Sequence, residues 1–138
     1  MNLVITKKYI NLKTKGMSKA KASSFKEGAL YALYVLVNSE HIKHLEDVLE
    51  IIYKVTNLKI DSLKSKLKTR KIVEARYLYF YISKKNYSEV SYKNIGILIN
   101  RDHDNVIYGI KVINDLKNND YRIMNLINEI EYRLQNVN

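Results

Sequence analysis

The apolar residues of this 138-residue chain recur at three- and four-residue intervals, and no run of strand alternation persists. The last segment is the clearest case. Ile123, Leu126, Ile127, Ile130 and Leu134 fall on one stripe of a helix with 3.6 residues per turn. The chain has no proline and four glycines, so little in it breaks helices. An all-α fold is therefore expected, a helical bundle rather than a sheet.

The pattern sets out the helices in order. One runs from Ser23 or Ser24 to about Asn38, with Glu27 at capping-box spacing from Ser24. Its apolar residues (Leu30, Tyr31, Leu33, Tyr34, Val35, Leu36, Val37) surround it almost completely, so it is expected to be buried in its own domain or in an oligomer contact. "NSEHIKH" (38–44) reads as a polar break. A helix follows from about Leu45 to Val55, then a link with one helical turn after Asp61. Next come a long helix over Arg70–Lys85, a short one capped by Ser91, one from about Asp102 to Lys117, and a last one from about Asp120 to Leu134. The tyrosine run "YLYFY" (77–81) could stack on bases, but at helical spacing it is expected in the core. The division expected is 1–44, a basic arm plus an apolar helix, and 45–138, a helical domain.

Net charge is +10, which draws a protein to polyanions. The bases gather in two places, residues 1–44, of which 1–22 read as an arm, and "KIDSLKSKLKTRK" (59–71). The absence of cysteine excludes disulfides and thiolate metal sites. The most apolar run, "ALYALYVLV" (29–37), falls short of the ~20 residues of a membrane helix. A cytoplasmic protein with no membrane contact is the expectation. His41 and His44 read as exposed polar residues at a helix start, not as metal ligands, because zinc sites need a closed set of three or four donors. No nucleophile motif accompanies His103, so no enzymatic activity and no cofactor are expected.

"NRDHDNVIYGIKVI" (100–113) crowds hydrogen-bonding groups onto the first turn of a helix, then turns apolar at Val106, Ile107, Ile110 and Ile113. A short helix, a tight corner at Asn100–Arg101 and a longer helix make the arrangement of a helix-turn-helix, whose second helix enters the major groove N-terminus first. Arg101 could then reach guanine or phosphate. His103 and Asn105 could bond to base edges, and an Asp could accept from a cytosine amino group. The same cluster also fits an ordinary helix start, with Asp102 capping, Asp104 favouring the dipole and Arg101 solvated.

"SYKNIGILINRDHDNVIYGIKVI" resembles the signature of the C-terminal DNA-binding domain of the bacterial replication initiator DnaA. Ser91, Ile95, Gly96, Arg101, Asp102, His103 and Val106 match, and "LKIDSLKSKLKTRKIVEAR" is similar to the basic segment ahead of that family's long helix. The likeness spans about 45–134. It implies a helix-turn-helix bundle of the Trp-repressor-like kind, here with an extra N-terminal helix, and double-stranded DNA as the partner. On this likeness Asp102 and His103 face base edges, with Asp104 and Asn105 beside them. Arg101 sits at the corner. Lys66, Lys68, Arg70, Lys71 and Arg76 supply the basic side. Ser91, Tyr92 and Lys93 lie near a phosphate, and Lys111 completes the DNA-facing set.

Three positions depart from the family. Asp104 and Asn105 replace two threonines, Glu74 stands for an arginine, and Asn100 replaces a glycine in a corner one residue shorter. The preferred DNA sequence is expected to differ from the family's own box, and Asp104 and Glu74 are expected to oppose DNA. No GxxxxGK[ST] phosphate loop occurs, so the expectation is the DNA-binding domain used without an ATPase, as a phage or mobile element would use it. The 24–38 helix would serve a homodimer. The rival expectations are a protein-interaction component that kept the fold and lost base reading, and a sequence-blind nucleic-acid binder led by the Lys-rich arm.

Overall fold

The computed structural model describes residues 39–137, and every regular element among them is an α-helix. They are α1 (Ser39–Thr56), α2 (Ile60–Lys64), α3 (Arg70–Asn86), α4 (Tyr92–Ile97), α5 (His103–Leu116) and α6 (Tyr121–Gln135). The arm over 1–22, the helix over 24–38 and the dimer contact expected of it lie outside the described residues.

α3 is the centre of the bundle, and α2, α4, α5 and α6 all pack on it. Its sequence explains this position. Leu78, Tyr79, Phe80, Tyr81 and Ile82 are buried one after another, and a helix apolar on every side must be enclosed. Each such side chain contributes roughly 1.5–3 kcal/mol of burial. Tyr79, in the middle of the run expected in the core, is fully buried. Its hydroxyl donates to the carbonyl of Ile95 at 2.7 Å, so the polar tip of the ring is satisfied within the core. The Ser83 hydroxyl, also in α3, is buried without a hydrogen-bond partner among the described residues.

The helix starts follow the capping residues. Thr69 accepts from the Ile72 amide, Ser91 from Asn94 at 3.1 Å, and Asp120 from Arg122 and Ile123 at 2.9 and 3.3 Å. Each cap occupies amides that have no partner inside the helix. One expected boundary is corrected: "SEHIKH" (39–44) is the opening of α1, not a break. Ile42 lies three residues before Leu45, so the apolar stripe already runs through the polar segment. His44, expected exposed, is half-buried and stacks on Tyr87 with ring centroids 4.7 Å apart.

α6 lays Ile123, Ile127 and Ile130 into the core, while Leu126 and Leu134 are only half-buried. Two ion pairs fasten it to α3 along the outside: Arg122 to Glu74, and Lys85 to Glu131 at 2.7 Å. The hydrogen bond to Glu131 raises the Lys85 ammonium above its ordinary pKa.

Candidate nucleic-acid interface

The corner between α4 and α5 is built from the backbone outward. The Arg101 amide donates to the Gly96 carbonyl at 2.9 Å, and the Asn100 amide to the Ile97 carbonyl at 3.2 Å. These are the paired bonds of a Schellman motif, which requires a left-handed residue at its turning point. Asn100 fills that place with φ 58°, a conformation asparagine tolerates better than most side chains. The sequence departure from glycine is thus accommodated. Gly96 is essential in another way, because a Cβ there would collide with the Arg101 carbonyl and press on Val106. Gly109 serves a similar purpose within α5, where a Cβ would meet the rings of Tyr77 and Phe80. It lets α5 lie close on α3.

The polar cluster at the start of α5 divides into groups the fold uses and groups it leaves outside. Asp102 is the N-cap, and its Oδ1 accepts from the Asn105 amide at 2.9 Å. Arg101 is half-buried and folds back: its guanidinium donates to the carbonyls of Ile99 and Asn100 at 3.3 and 3.1 Å, and to that of Ser65. His103 and Asp104 point outward, with side chains 59% and 83% exposed and His103 Nε2 3.2 Å from Asp104 Oδ1. Asn105 is half-buried, and Lys111 is exposed two turns further along α5.

Ile107, one of the apolar positions of this stretch, is 44% exposed, and Tyr108 is 58% exposed. Val106, Gly109 and Ile113 already form the buried stripe, and Ile107 lies about 100° round the helix from Val106. That angle was the signal available in the sequence. Tyr92, Ile107, Ile110, Lys111 and Asn114 line a shallow groove of about 210 Å³. The structure therefore brings together Tyr92 and Lys111, which sequence spacing kept apart. Lys84, which no motif marks, sits 4.5 Å over the Tyr92 ring. Ser91 is the N-cap of α4 and Lys93 is exposed in its first turn.

On the basic side, Lys66, Lys68, Arg70 and Lys71 are exposed, and none has an ion-pair partner among the described residues. Arg76, expected beside them, is turned inward and only 4% exposed. Its Nε donates to the Leu63 carbonyl at 2.7 Å, and its terminal nitrogen to Ser65 at 2.7 Å and Ser62 at 3.3 Å. It closes the end of α2, supplying donors to the Leu63 and Ser65 carbonyls and joining the Ser65 hydroxyl on that of Ser62. Burial, and secondarily the charge of Arg101, push its guanidinium below the ordinary value. Glu74 does not stand as a bare negative charge either. Arg122 grips both its oxygens at 2.6 Å, the bidentate geometry that suits guanidinium to carboxylate.

A short helix, a Schellman corner and a second helix with an exposed, polar first turn define a helix-turn-helix domain. The family model described as "Bacterial dnaA protein helix-turn-helix" matches residues 45–113. Similar proteins include the chromosomal replication initiator protein DnaA of Borrelia turicatae, 31% identical over 67% of this chain and 19% of that protein. The initiator of Bacteroides thetaiotaomicron is 28% identical over 73% and 22%, and that of Campylobacter concisus is 32% identical over 78% and 25%. The chain belongs to the bacterial DnaA helix-turn-helix family, a family of DNA-binding domains. It spans about a fifth to a quarter of the length of these relatives.

Proposed function

We propose that this protein binds duplex DNA, with the first turn of α5 in the major groove and the basic segment from Lys66 to Lys71, the loop before α3 and its first residues, on the neighbouring backbone and minor groove. The observation that carries this reading is the outward turn of His103 and Asp104 at the very end of α5, while the other face of that helix is locked into the core. A rigid helix end that turns hydrogen-bonding groups to the solvent is what base reading requires. Lys66, Lys68, Arg70, Lys71, Lys93 and Lys111 supply phosphate contacts in this reading, and binding is expected to weaken with salt. Asp104 in place of threonine favours a cytosine amino group over a thymine methyl, so the preferred site differs from the family's box. The protein makes and breaks no bonds here. Replication or transcription control in a phage or mobile element is the role we infer, with the 24–38 helix pairing two copies on a palindromic site.

One observation favours a second reading, a protein-docking domain: the exposed carboxylate of Asp104 adds negative charge where DNA would lie. Fluorescence anisotropy separates the two, using a duplex with the DnaA-type box, a scrambled duplex and a duplex selected from a random pool, each over a salt series. A selected duplex bound far more tightly than scramble supports base reading. Equal binding to all duplexes points to a sequence-blind binder, and absence of binding at moderate salt sinks the DNA reading.

A further inference from the structure

We propose that Arg101 is a positioning residue, not a DNA contact: it locks the basic loop to the helix-turn-helix corner, so that loop and recognition helix meet DNA in fixed register. The inference rests on the reading above that both elements touch the duplex.

The two elements are far apart in sequence, with Ser65 lying 36 residues from Arg101. They meet at one atom. The carbonyl oxygen of Ser65 accepts from the guanidinium of Arg101 and from that of Arg76. Arg76 continues to Leu63 and Ser62 at the end of α2, and Arg101 continues to Ile99 and Asn100 in the corner. The result is a joint of two planar forks on one shared backbone oxygen. It holds the last residue before Lys66 against the corner that launches α5.

The loop is stiff on both sides of this joint. The Ser65 hydroxyl donates to the Ser62 carbonyl at 2.6 Å and accepts from the Leu67 amide at 3.2 Å, and Thr69 caps α3. Lys66 and Lys68 are thus presented from a braced arch. Three of the five N–H groups of Arg101 are already engaged within the fold. Three carbonyls engage its two terminal nitrogens, and moving it to DNA would release the Ser65 tie. A fork of this shape is not reproduced by the single ammonium of lysine. Sites of recognition gain precision when the residues behind them fix the geometry.

The test uses the full chain, the duplex selected from the random pool and its scramble, with Arg101→Gln and Arg101→Lys. The expected result is that preference for the selected duplex falls about tenfold or more in both variants. Affinity and salt slope on the scrambled duplex stay as in the wild type. A phosphate contact behaves otherwise: Arg101→Gln lowers the slope on either duplex by about 0.9, and Arg101→Lys keeps most of the preference. That pattern overturns the proposal. Circular dichroism establishes that each variant is folded. Should a variant lose its helices, the unmodified protein decides the matter by NMR. A coupling across the hydrogen bond between the Arg101 terminal nitrogen and the Ser65 carbonyl carbon is expected to persist in the complex, and its loss on adding the selected duplex overturns the proposal. A wild type with no preference among duplexes overturns this inference together with the proposed function. A wild-type preference with a lowered slope in Arg101→Gln overturns this inference alone.

Discussion

The corner and first turn of α5 and the loop from Lys66 to Thr69 are both exposed polar segments, yet the fold treats them differently. In the first, most of the chemistry is occupied. Asp102 caps the helix, Arg101 binds three carbonyls, Asn100 holds the left-handed turn, and only His103 and Asp104 are left facing outward. In the loop the backbone and Thr69 hold the structure, and the cations are unpaired among the described residues. The contrast teaches that charge and polarity in a sequence do not separate readers from scaffold. What separates them is which groups already have partners.

Substitutions can break or sharpen this contrast. The largest effect is expected at Gly96→Ala, where the added methyl must displace the Arg101 backbone; a loss of about 3 kcal/mol is expected in urea unfolding. A loss under ~0.5 kcal/mol, the ordinary surface range, would show that the corner is looser than described. Next is His103→Ala, expected to reduce discrimination between selected and scrambled duplexes by about 1–3 kcal/mol with stability changed by less than ~0.5 kcal/mol. Its neighbour Asp102→Ala should show the opposite balance, losing about 1 kcal/mol of stability as a vacated N-cap. If the two neighbours behave alike in both assays, the division drawn within the first turn is wrong. In the loop, Lys66→Ala and Lys68→Ala should each leave the melting temperature nearly unmoved. Each should lower the salt slope by about 0.9, and an unchanged slope would remove that lysine from the interface. The smallest effect is at Ser83→Ala in α3, away from both regions. Removing a buried hydroxyl without a partner should raise stability by up to about 1 kcal/mol, and a loss of stability would mean the hydroxyl is bonded after all.

The fold was largely legible because its signals are local. Apolar spacing located the helices, and Ser91, Asp102 and Asp120 marked three of their starts at the residue that caps each. The corner was legible too, since Asn100 and Gly96 meet backbone demands set within six residues. What escaped the sequence depends on distant partners. Glu74 looked like a charge opposed to DNA, and its neutralising arginine lies 48 residues away. Arg76 looked like a member of a basic patch because its acceptors are main-chain carbonyls, which every residue carries and no sequence advertises. Ile107 belongs to the apolar series of its stretch, yet its angle on α5 sets it beside Lys111 in an open groove.

The joint at Ser65 has a consequence for how such a domain can change over generations. Its acceptor is a main-chain oxygen, and a main-chain oxygen survives any substitution at that position. Lys66, Leu67 and Lys68 can therefore be exchanged by mutation without dissolving the tie between loop and corner. A lineage that drifts toward a new DNA target can rewrite the loop step by step while inheriting the corner intact.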